Sequence, residues 1–276
     1  LPTLTTRPDQ IKSLRQTILN LAVRGKLVAQ DPSDEPAAEL LKRIEAEKAR
    51  LLNEGKIREA KAVEPTKPVL GYSALPENWQ HVTVANVAYL RSGVALMHDE
   101  EQDSGEIPYL KVADLSLAEN DNGITTSSRF VSDERRGDII VVGSIVFPKR
   151  GGAIATNRKR VSKVDMVGDN NLMAMKPFAN ETLPFIGMWF NSFDLWVLNS
   201  GTSVPQINNK DIYPLELPLP PLAEQHRIVE KVDALMALCD QLEANLTTAT
   251  TTRSKLLNAL LHEALAPGAA ELEVEQ

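Results

Sequence analysis

The sequence has a single cysteine, Cys239, few aromatic residues (5%) and no long apolar run. One cysteine cannot form an internal disulfide or supply a zinc site built on two cysteines, and such low usage is typical of a reducing compartment. No apolar stretch approaches the ~20 residues that a membrane-spanning helix needs. No basic segment followed by an apolar stretch opens the chain, so a secretory signal is not predicted. We therefore expect a soluble, cytoplasmic protein without a membrane segment.

Signatures of common enzymes are also missing. Neither a Gly-x-Gly-x-x-Gly nor a Gly-x-x-x-x-Gly-Lys-Ser/Thr motif occurs, so no nucleotide cradle is predicted. The four histidines are scattered without the spacing of metal ligands, which predicts neither a metal site nor a catalytic histidine. Glu45, Glu47 and Lys48 imitate the carboxylate–lysine set of a nuclease, but alternating charges on a helix face normally form ion pairs. The sequence thus predicts a non-catalytic chain with no bound cofactor; an unrecognised nuclease stays open as an alternative.

The start of the chain is predicted to be helical, over residues 1–62. Ile11, Leu14 and Ile18 follow one another at steps of three and four residues, which places them on one face of a helix. A proline-bearing linker is predicted over residues 63–74, because the residue before a proline is disfavoured in a helix.

The periodicity changes over residues 75–216. Short runs rich in valine and isoleucine, such as 139–142 and 145–147, alternate with clusters of glycine, asparagine, aspartate and serine, as strands joined by turns do. One apolar segment, 183–198, is a helix candidate. These roughly 140 residues predict a β-rich mixed α/β domain of ordinary size. With the long helices on either side of it, the predicted fold class is α+β.

Residues 217–265 predict a long coiled-coil helix. Apolar residues recur there at alternating steps of four and three over nearly five heptads. The predicted interface positions are Ile228, Val232, Leu235, Cys239, Leu242, Leu246, Leu256 and Leu260. A helix from about 222 to 264 would be about 64 Å long, too long for one small domain to cover, so its apolar face requires a partner. The threonines of 247–252 lower helix propensity, so a break or bend of the helix at this point stays open as an alternative. Residues 266–276 are expected to form an acidic tail.

A basic cluster stands out in a chain whose net charge is −7. Between residues 147 and 163 there are six cations and no acid: Lys149, Arg150, Arg158, Lys159, Arg160 and Lys163. Two glycines in this stretch allow a ligand to approach the backbone closely, and Asn157 is suited to a base edge. Lysine and arginine grouped in this way neutralise phosphates or pair with guanine, which favours DNA binding. The alternative is a solvated basic hairpin with no ligand.

A second polar segment, 201–210, carries amide side chains suited to adenine or phosphate contacts. Its candidate DNA-binding residues are Gln206, Asn208, Asn209 and Lys210, and Lys111 and Arg91 are further candidates of the same kind. The alternative for the segment is a structural loop that caps the 183–198 helix.

Several segments resemble type I restriction–modification specificity subunits. Residues 217–229, Leu-Pro-Leu-Pro-Pro-Leu-Ala-Glu-Gln-His-Arg-Ile-Val, are similar to the opening of a conserved region of that family. Residues 201–208, Gly-Thr-Ser-Val-Pro-Gln-Ile-Asn, resemble the segment that closes a target recognition domain, and 75–79 resemble the entry to one. Residues 14–19 and 25–32 look like the family's other conserved region. The resemblance covers nearly the whole chain.

The resemblance implies a non-catalytic subunit of a host-defence system that selects where DNA is methylated or cut. A full subunit of the family has two target recognition domains, each reading one half of a split site, held apart by two long antiparallel helices. The methylation subunits bring S-adenosylmethionine, and the restriction subunit brings ATP and Mg²⁺. This chain departs from the pattern because it contains one recognition domain, 75–216.

The chain is therefore expected to be half of a longer subunit, or a half-size subunit that dimerises to restore two reading heads. The competing hypothesis is a coiled-coil adaptor whose middle domain binds protein and has no DNA specificity.

Overall fold

A computed structural model of the chain describes residues 8–60, 75–200 and 204–265. The predicted linker over 63–74, the acidic tail over 266–276 and residues 201–203 lie outside the described residues. The chain divides into two compact units, one made of residues up to 18 together with those from 232 onward, the other of residues 19–231. The domain boundaries drawn from the sequence stay a prediction.

The described residues form an α+β fold, as the sequence predicts. The helices are α1 (Pro8–Ala22), α2 (Ala37–Asn53), α3 (Val84–Val87), α4 (Leu183–Asn191), α5 (Asn209–Ile212) and α6 (Leu222–Leu265). The strands are β1 (Gln80–Thr83), β2 (Ala88–Ser92), β3 (Ile107–Leu110), β4 (Phe130–Val131), β5 (Ile145–Pro148), β6 (Arg160–Val161), β7 (Val167–Gly168), β8 (Leu172–Pro177) and β9 (Glu216–Leu219).

The central sheet of the 19–231 unit is antiparallel, in the order β2-β8-β5-β6. Strand β5 is buried along its whole length, which is why its sequence is continuously apolar rather than alternating. In the register, Ile145 lies opposite Met175 and Phe147 opposite Met173. Helix α4 covers this region, with the rings of Phe147 and Phe190 5.0 Å apart. This packing fixes the end of β5, from which the basic cluster begins.

Two smaller sheets complete the unit. Strand β3 pairs antiparallel with β4 and parallel with β7. Strands β1 and β9 pair antiparallel, so Gln80 lies opposite Leu219 and Thr83 opposite Glu216. The segment that leads into the domain, β1, therefore lies beside the segment that leads out of it, β9, and α6 begins shortly after β9.

The predicted helix over 183–198 is shorter in the structure. Helix α4 ends at Asn191, and a separate 3₁₀ turn follows at Leu195–Leu198. The side chain of Asp194 accepts a hydrogen bond from the backbone N–H of Trp196 (2.9 Å), which starts the new turn. The continuous helix was wrong because a capping aspartate lies inside an otherwise apolar run.

Helix α6 is continuous over 44 residues, which corresponds to about 66 Å. The helix predicted for about 222–264 is confirmed, and it runs without a break across 247–252. The hydroxyls of Thr247 and Thr248 donate to the carbonyls of Glu243 and Ala244 (2.9 and 3.0 Å), so they are satisfied within the helix.

The unit formed by the two chain ends contains the first part of α1 and most of α6. Arg15 donates to Asp240 Oδ1 and to Glu243 Oε2, both at 2.7 Å. Val232 and Cys239 of the heptad stripe are buried. Leu256 and Leu260 are 61% and 54% exposed. The apolar stripe is thus covered at its start and open towards its end.

Candidate nucleic-acid interface

The basic cluster and the amide segment, far apart in sequence, meet in the structure. Arg150 forms an isolated antiparallel bridge with Gln206. On one side of it, the N–H of Gly151 donates to the carbonyl of Pro205 (2.8 Å). On the other side, the N–H of Ile207 donates to the carbonyl of Lys149 (2.9 Å). Two candidate segments thus become one surface.

The loop after β5 is shaped by two residues with left-handed backbone. Gly151 has φ +68°, a conformation that glycine adopts without steric cost. A 3₁₀ turn follows at Gly151–Thr156, and Asn157 ends it with φ 51°. The Oδ1 atom of Asn157 accepts a hydrogen bond from the N–H of Leu195 (2.9 Å). Asn157 therefore joins the basic loop to the turn after α4.

That turn is also tied to the amide segment. Asn199 Oδ1 accepts a hydrogen bond from the N–H of Gln206 (2.8 Å), and the N–H of Ser200 donates to the carbonyl of Gln206 (3.0 Å). Gln206 Nε2 donates to Asn208 Oδ1 (2.7 Å). We call residues 149–158, 194–200 and 204–210 the loop cluster. These three segments support one another through backbone and amide hydrogen bonds, which gives the surface a fixed geometry.

The cations at the loop cluster differ in exposure. Arg150 and Arg158 are exposed, and Arg158 donates to the hydroxyl of Ser116. Lys149 is 9% exposed, and burial, with the nearby Arg150 charge, lowers the pKa of its ammonium below the usual range. Arg150 and Arg158 are therefore the accessible guanidiniums on this surface.

Two other predicted cations lie beside a different segment. Arg160 pairs with Asp121 at 3.3 Å. Lys163 is exposed, and its N–H donates to the carbonyl of Ile124 (2.8 Å). Because Lys149 and Lys159 are buried, the six cations do not all lie on one exposed surface.

Lys159 is buried, with 6% of its surface exposed. Its ammonium donates to the carbonyls of Phe190 (2.7 Å) and Phe193 (2.6 Å) and lies 4.9 and 5.1 Å from their ring centroids. Burial lowers the pKa of this ammonium to about 7, while the charge of Asp194 acts in the opposite direction. An ammonium held in this way cannot reach a phosphate, so we remove Lys159 from the proposed DNA-contacting set and assign it as an anchor of the basic loop.

The last two residues of the loop cluster, Asn209 and Lys210, line a cleft, and the remaining candidates, Arg91 and Lys111, lie outside the loop cluster. Arg91 donates to the carbonyl of Gly137, and together with Lys210 it lines a cleft of about 910 Å³ that Lys56 and Arg58 also line. Asn209 lines the same cleft.

Lys111 pairs with Glu101 at 2.6 Å and lies 5.8 Å from the ring centroid of Tyr109. Its charge is thereby partly neutralised within the protein.

Sequence reasoning missed the apolar part of the loop cluster. Trp196, Val197 and Val204 are 45%, 62% and 62% exposed. Trp196 and Val197 fall within the apolar run, 183–198, that was interpreted as a helix candidate. The capping pattern at Asp194 is the feature that could have revealed a turn with outward-facing side chains.

Among the described residues, no group of three or more His, Cys, Asp or Glu side chains could hold a metal ion. In the same part of the chain, no helix combines the length and apolar character required to cross a membrane.

Comparison with known proteins gives a consistent family. Residues 76–250 match the family model described as the type I restriction modification DNA specificity domain. The chain is 32% identical over 279 residues to the type I restriction enzyme EcoAI specificity subunit of Escherichia coli, covering 95% of this chain and 46% of that protein. It is 33% identical over 266 residues to the EcoEI specificity subunit of the same organism, covering 91% and 43%. The chain thus spans less than half the length of these relatives.

Solved structures are similar in fold. A type I R-M system structure, described in terms of complex assembly and conformational transition, matches with a TM-score of 0.58 at 19% identity, over 93% of this chain and 57% of that one. The HsdS subunit from Thermoanaerobacter tengcongensis matches with a TM-score of 0.51 at 21% identity, over 87% and 51%. At these identities the likeness concerns the fold.

Proposed function

Because the chain belongs to the type I restriction modification DNA specificity domain family, we propose that it binds double-stranded DNA and reads one half of a split site. Its curated relatives are named specificity subunits, the non-catalytic components of type I enzymes. The proposal assigns this chain the choice of site. It assigns the chemistry to methylation subunits, which bring S-adenosylmethionine, and to a restriction subunit, which brings ATP and Mg²⁺, in the cytoplasm.

The observation that carries the proposal is the junction between Arg150 and Gln206. Cations supply affinity for the phosphate backbone, whereas amide groups hydrogen-bond to base edges, so a surface that has both can combine affinity with sequence readout. The loop cluster combines exposed arginines with Asn208 and Asn209, although the whole chain carries a net charge of −7. Since the chain as a whole is acidic, its proposed affinity for DNA depends on this local group of arginines and not on its net charge.

The test of DNA binding is a double variant, Arg150→Ala with Arg158→Ala, in the purified full chain. Because two exposed guanidiniums are lost, affinity for a labelled duplex at low salt should fall about tenfold or more. The slope of log affinity against log salt should become shallower by about 2, since each phosphate contact contributes about 0.9. Fluorescence anisotropy over a salt series measures both quantities.

The matched control is Arg43→Ala, which removes an exposed arginine that pairs with Glu35 outside the loop cluster. Its affinity should equal that of the unmodified chain. Unchanged affinity in the double variant would contradict the proposed surface. Binding that ignores salt would favour the adaptor hypothesis, and metal-dependent cleavage by the pure chain would favour a nuclease.

Reading of a half-site is tested by modified-base sequencing of DNA from cells that express the chain with its neighbouring methylation subunit. A split methylated motif is expected. Identical inverted halves in that motif would support two copies of this chain related by a two-fold axis. Absence of methylation would count against the chain acting as a specificity subunit on its own.

The second reading head is proposed to come from a second copy or from another recognition half, docked on the open part of α6. Leu256→Asp with Leu260→Asp places two charges on exposed positions of the stripe, so the monomer should still fold. Sedimentation of the unmodified chain should report an oligomer, and that of the double variant a monomer. Asn258→Asp, exposed on the same stretch of helix, is the control. An unchanged mass for the double variant would refute the heptad interface.

A further inference from the structure

The loop cluster exposes apolar side chains next to its arginines. The chain has three tryptophans, and all three are described: Trp79 and Trp189 are 4% and 1% exposed, whereas Trp196 is 45% exposed. Val197, beside it, is 62% exposed. Single exposed apolar residues are normal, but an adjacent pair within a candidate ligand surface calls for an explanation.

The geometry of the turn holds these two side chains outward. In a 3₁₀ turn, residues three apart lie on the same side. Leu195 and Leu198 are 0% and 8% exposed and anchor the turn in the core, which leaves Trp196 and Val197 on its outer side. The N–H of Trp196 is capped by Asp194 (2.9 Å). The outward position is therefore built into the backbone.

The turn is fixed to the cationic loop and to the amide segment. Leu195 is hydrogen-bonded to Asn157, which closes the basic loop, and Asn199 is hydrogen-bonded to Gln206. The turn also packs against the 3₁₀ turn Gly151–Thr156. Any polyanion attracted to Arg150 and Arg158 approaches the same group of loops.

We propose that Trp196 and Val197 contact DNA bases and contribute to specificity, while Arg150 and Arg158 contact phosphates. This inference rests on the proposed function. Phosphates offer nothing to an apolar side chain, whereas base faces and the C5-methyl group of thymine do. An indole also packs well against an unstacked base. The proposal adds an apolar specificity determinant to a surface otherwise made of cations and amides.

Acrylamide quenching of tryptophan fluorescence tests the contact directly, because the other two tryptophans are buried. The probe is the duplex that the full chain enriches from a random 30-base-pair library. Without DNA, acrylamide should quench Trp196, and Trp196→Phe should abolish this quenching. With saturating enriched duplex, the quenching should be lost, whereas a scrambled duplex of equal length should protect less.

Discrimination between the two duplexes provides the second measurement. Trp196→Ala should reduce the affinity ratio of enriched to scrambled duplex about tenfold, because one base contact is lost, and should leave the salt slope unchanged. Arg150→Ala should change the salt slope and affect both duplexes alike. Val142→Ala, at a 49% exposed apolar residue outside the loop cluster, is the control and should change neither.

The possible results of these two measurements distinguish failure of this inference from failure of the proposed function. If the chain enriches no sequence and binds no duplex, the proposed function fails. If it binds and discriminates while Trp196 remains quenchable, and Trp196→Ala leaves the ratio unchanged, this inference is overturned and the proposed function stands. Thermal melting confirms that each variant is folded, which is expected because the substituted side chains are exposed.

Discussion

Replacing Lys159 with methionine tests how the loop cluster is anchored. Methionine keeps an unbranched stem of similar length and removes the ammonium that bonds to the carbonyls of Phe190 and Phe193. Burial lowers the pKa of this ammonium from 10.5 to about 7 in the folded chain. In the unfolded chain the pKa returns to its ordinary value, so the two states bind different numbers of protons between these pH values.

The direction in which pH changes the free energy of unfolding follows from this difference in bound protons. Between pH 7 and about 10.5 the unfolded chain binds the extra proton, so raising the pH stabilises the folded chain relative to the unfolded one. Below pH 7 both states are protonated and the contribution of Lys159 is constant. One pKa unit corresponds to about 1.4 kcal/mol, so from pH 6 to pH 9 the unmodified chain should gain about 2.5 kcal/mol of stability relative to Lys159→Met.

Urea unfolding of both proteins at pH 6, 7, 8 and 9 measures this difference. Trp189, whose ring lies 5.3 Å from that of Phe193, reports unfolding close to the substituted site. Groups such as Lys176, whose pKa is also lowered by burial, are present in both proteins and cancel in the comparison. A stability difference that stays constant from pH 6 to pH 9 would refute the reasoning, because it would mean that burial does not lower the pKa of the Lys159 ammonium in the folded chain.

Two further substitutions test the packing that supports the site. Gly93→Ala should destabilise the fold by about 3 kcal/mol or more, because a Cβ there would overlap the backbone carbonyls of Gly168 and Asp169. Thermal melting measures this loss, and Gly152→Ala, where the added Cβ meets open space, is the control. Equal melting temperatures for the two variants would contradict the close approach at Gly93. Glu224→Ala should cost about 1–3 kcal/mol in urea unfolding, because the carboxylate accepts a hydrogen bond from Trp79 Nε1 (2.9 Å) in a buried site and the indole N–H would be left unpaired. A loss below about 0.5 kcal/mol for Glu224→Ala would mean that water replaces the carboxylate.

The elements that depend on local pattern could be predicted from the sequence. The heptad spacing of α6 predicts a helix from about 222 to 264, and the structure has Leu222–Leu265. The apolar runs separated by glycine and asparagine predict a β-rich domain. The end of α4 was not predicted, because it depends on a new turn that a single residue, Asp194, caps. Periodicity and capping act over a few residues, so they can be recognised without knowledge of the fold.

The arrangement of the site could be predicted only in part. Arg150 and Gln206 were each identified by residue type, but their bridge joins the loop after β5 to the segment before α5, which are far apart in sequence. Lys159 has the same sequence context as the exposed Arg158 beside it. Its burial depends on Phe190 and Phe193, which come from a distant segment. Exposure is a tertiary property, and for cations in a basic run it decides between a ligand contact and a structural anchor.

The lengths of the helices support the proposed pairing through α6. Helix α1 has 15 residues, about 22 Å, whereas α6 has 44, about 66 Å, so α1 cannot cover the heptad stripe. What remains open includes Leu256 and Leu260, together with Leu257 and Leu261, all about half exposed or more. Among the described helices of this chain, only α6 is long enough to match that face. We therefore propose that a second copy of α6 packs against this face and brings a second recognition surface with it.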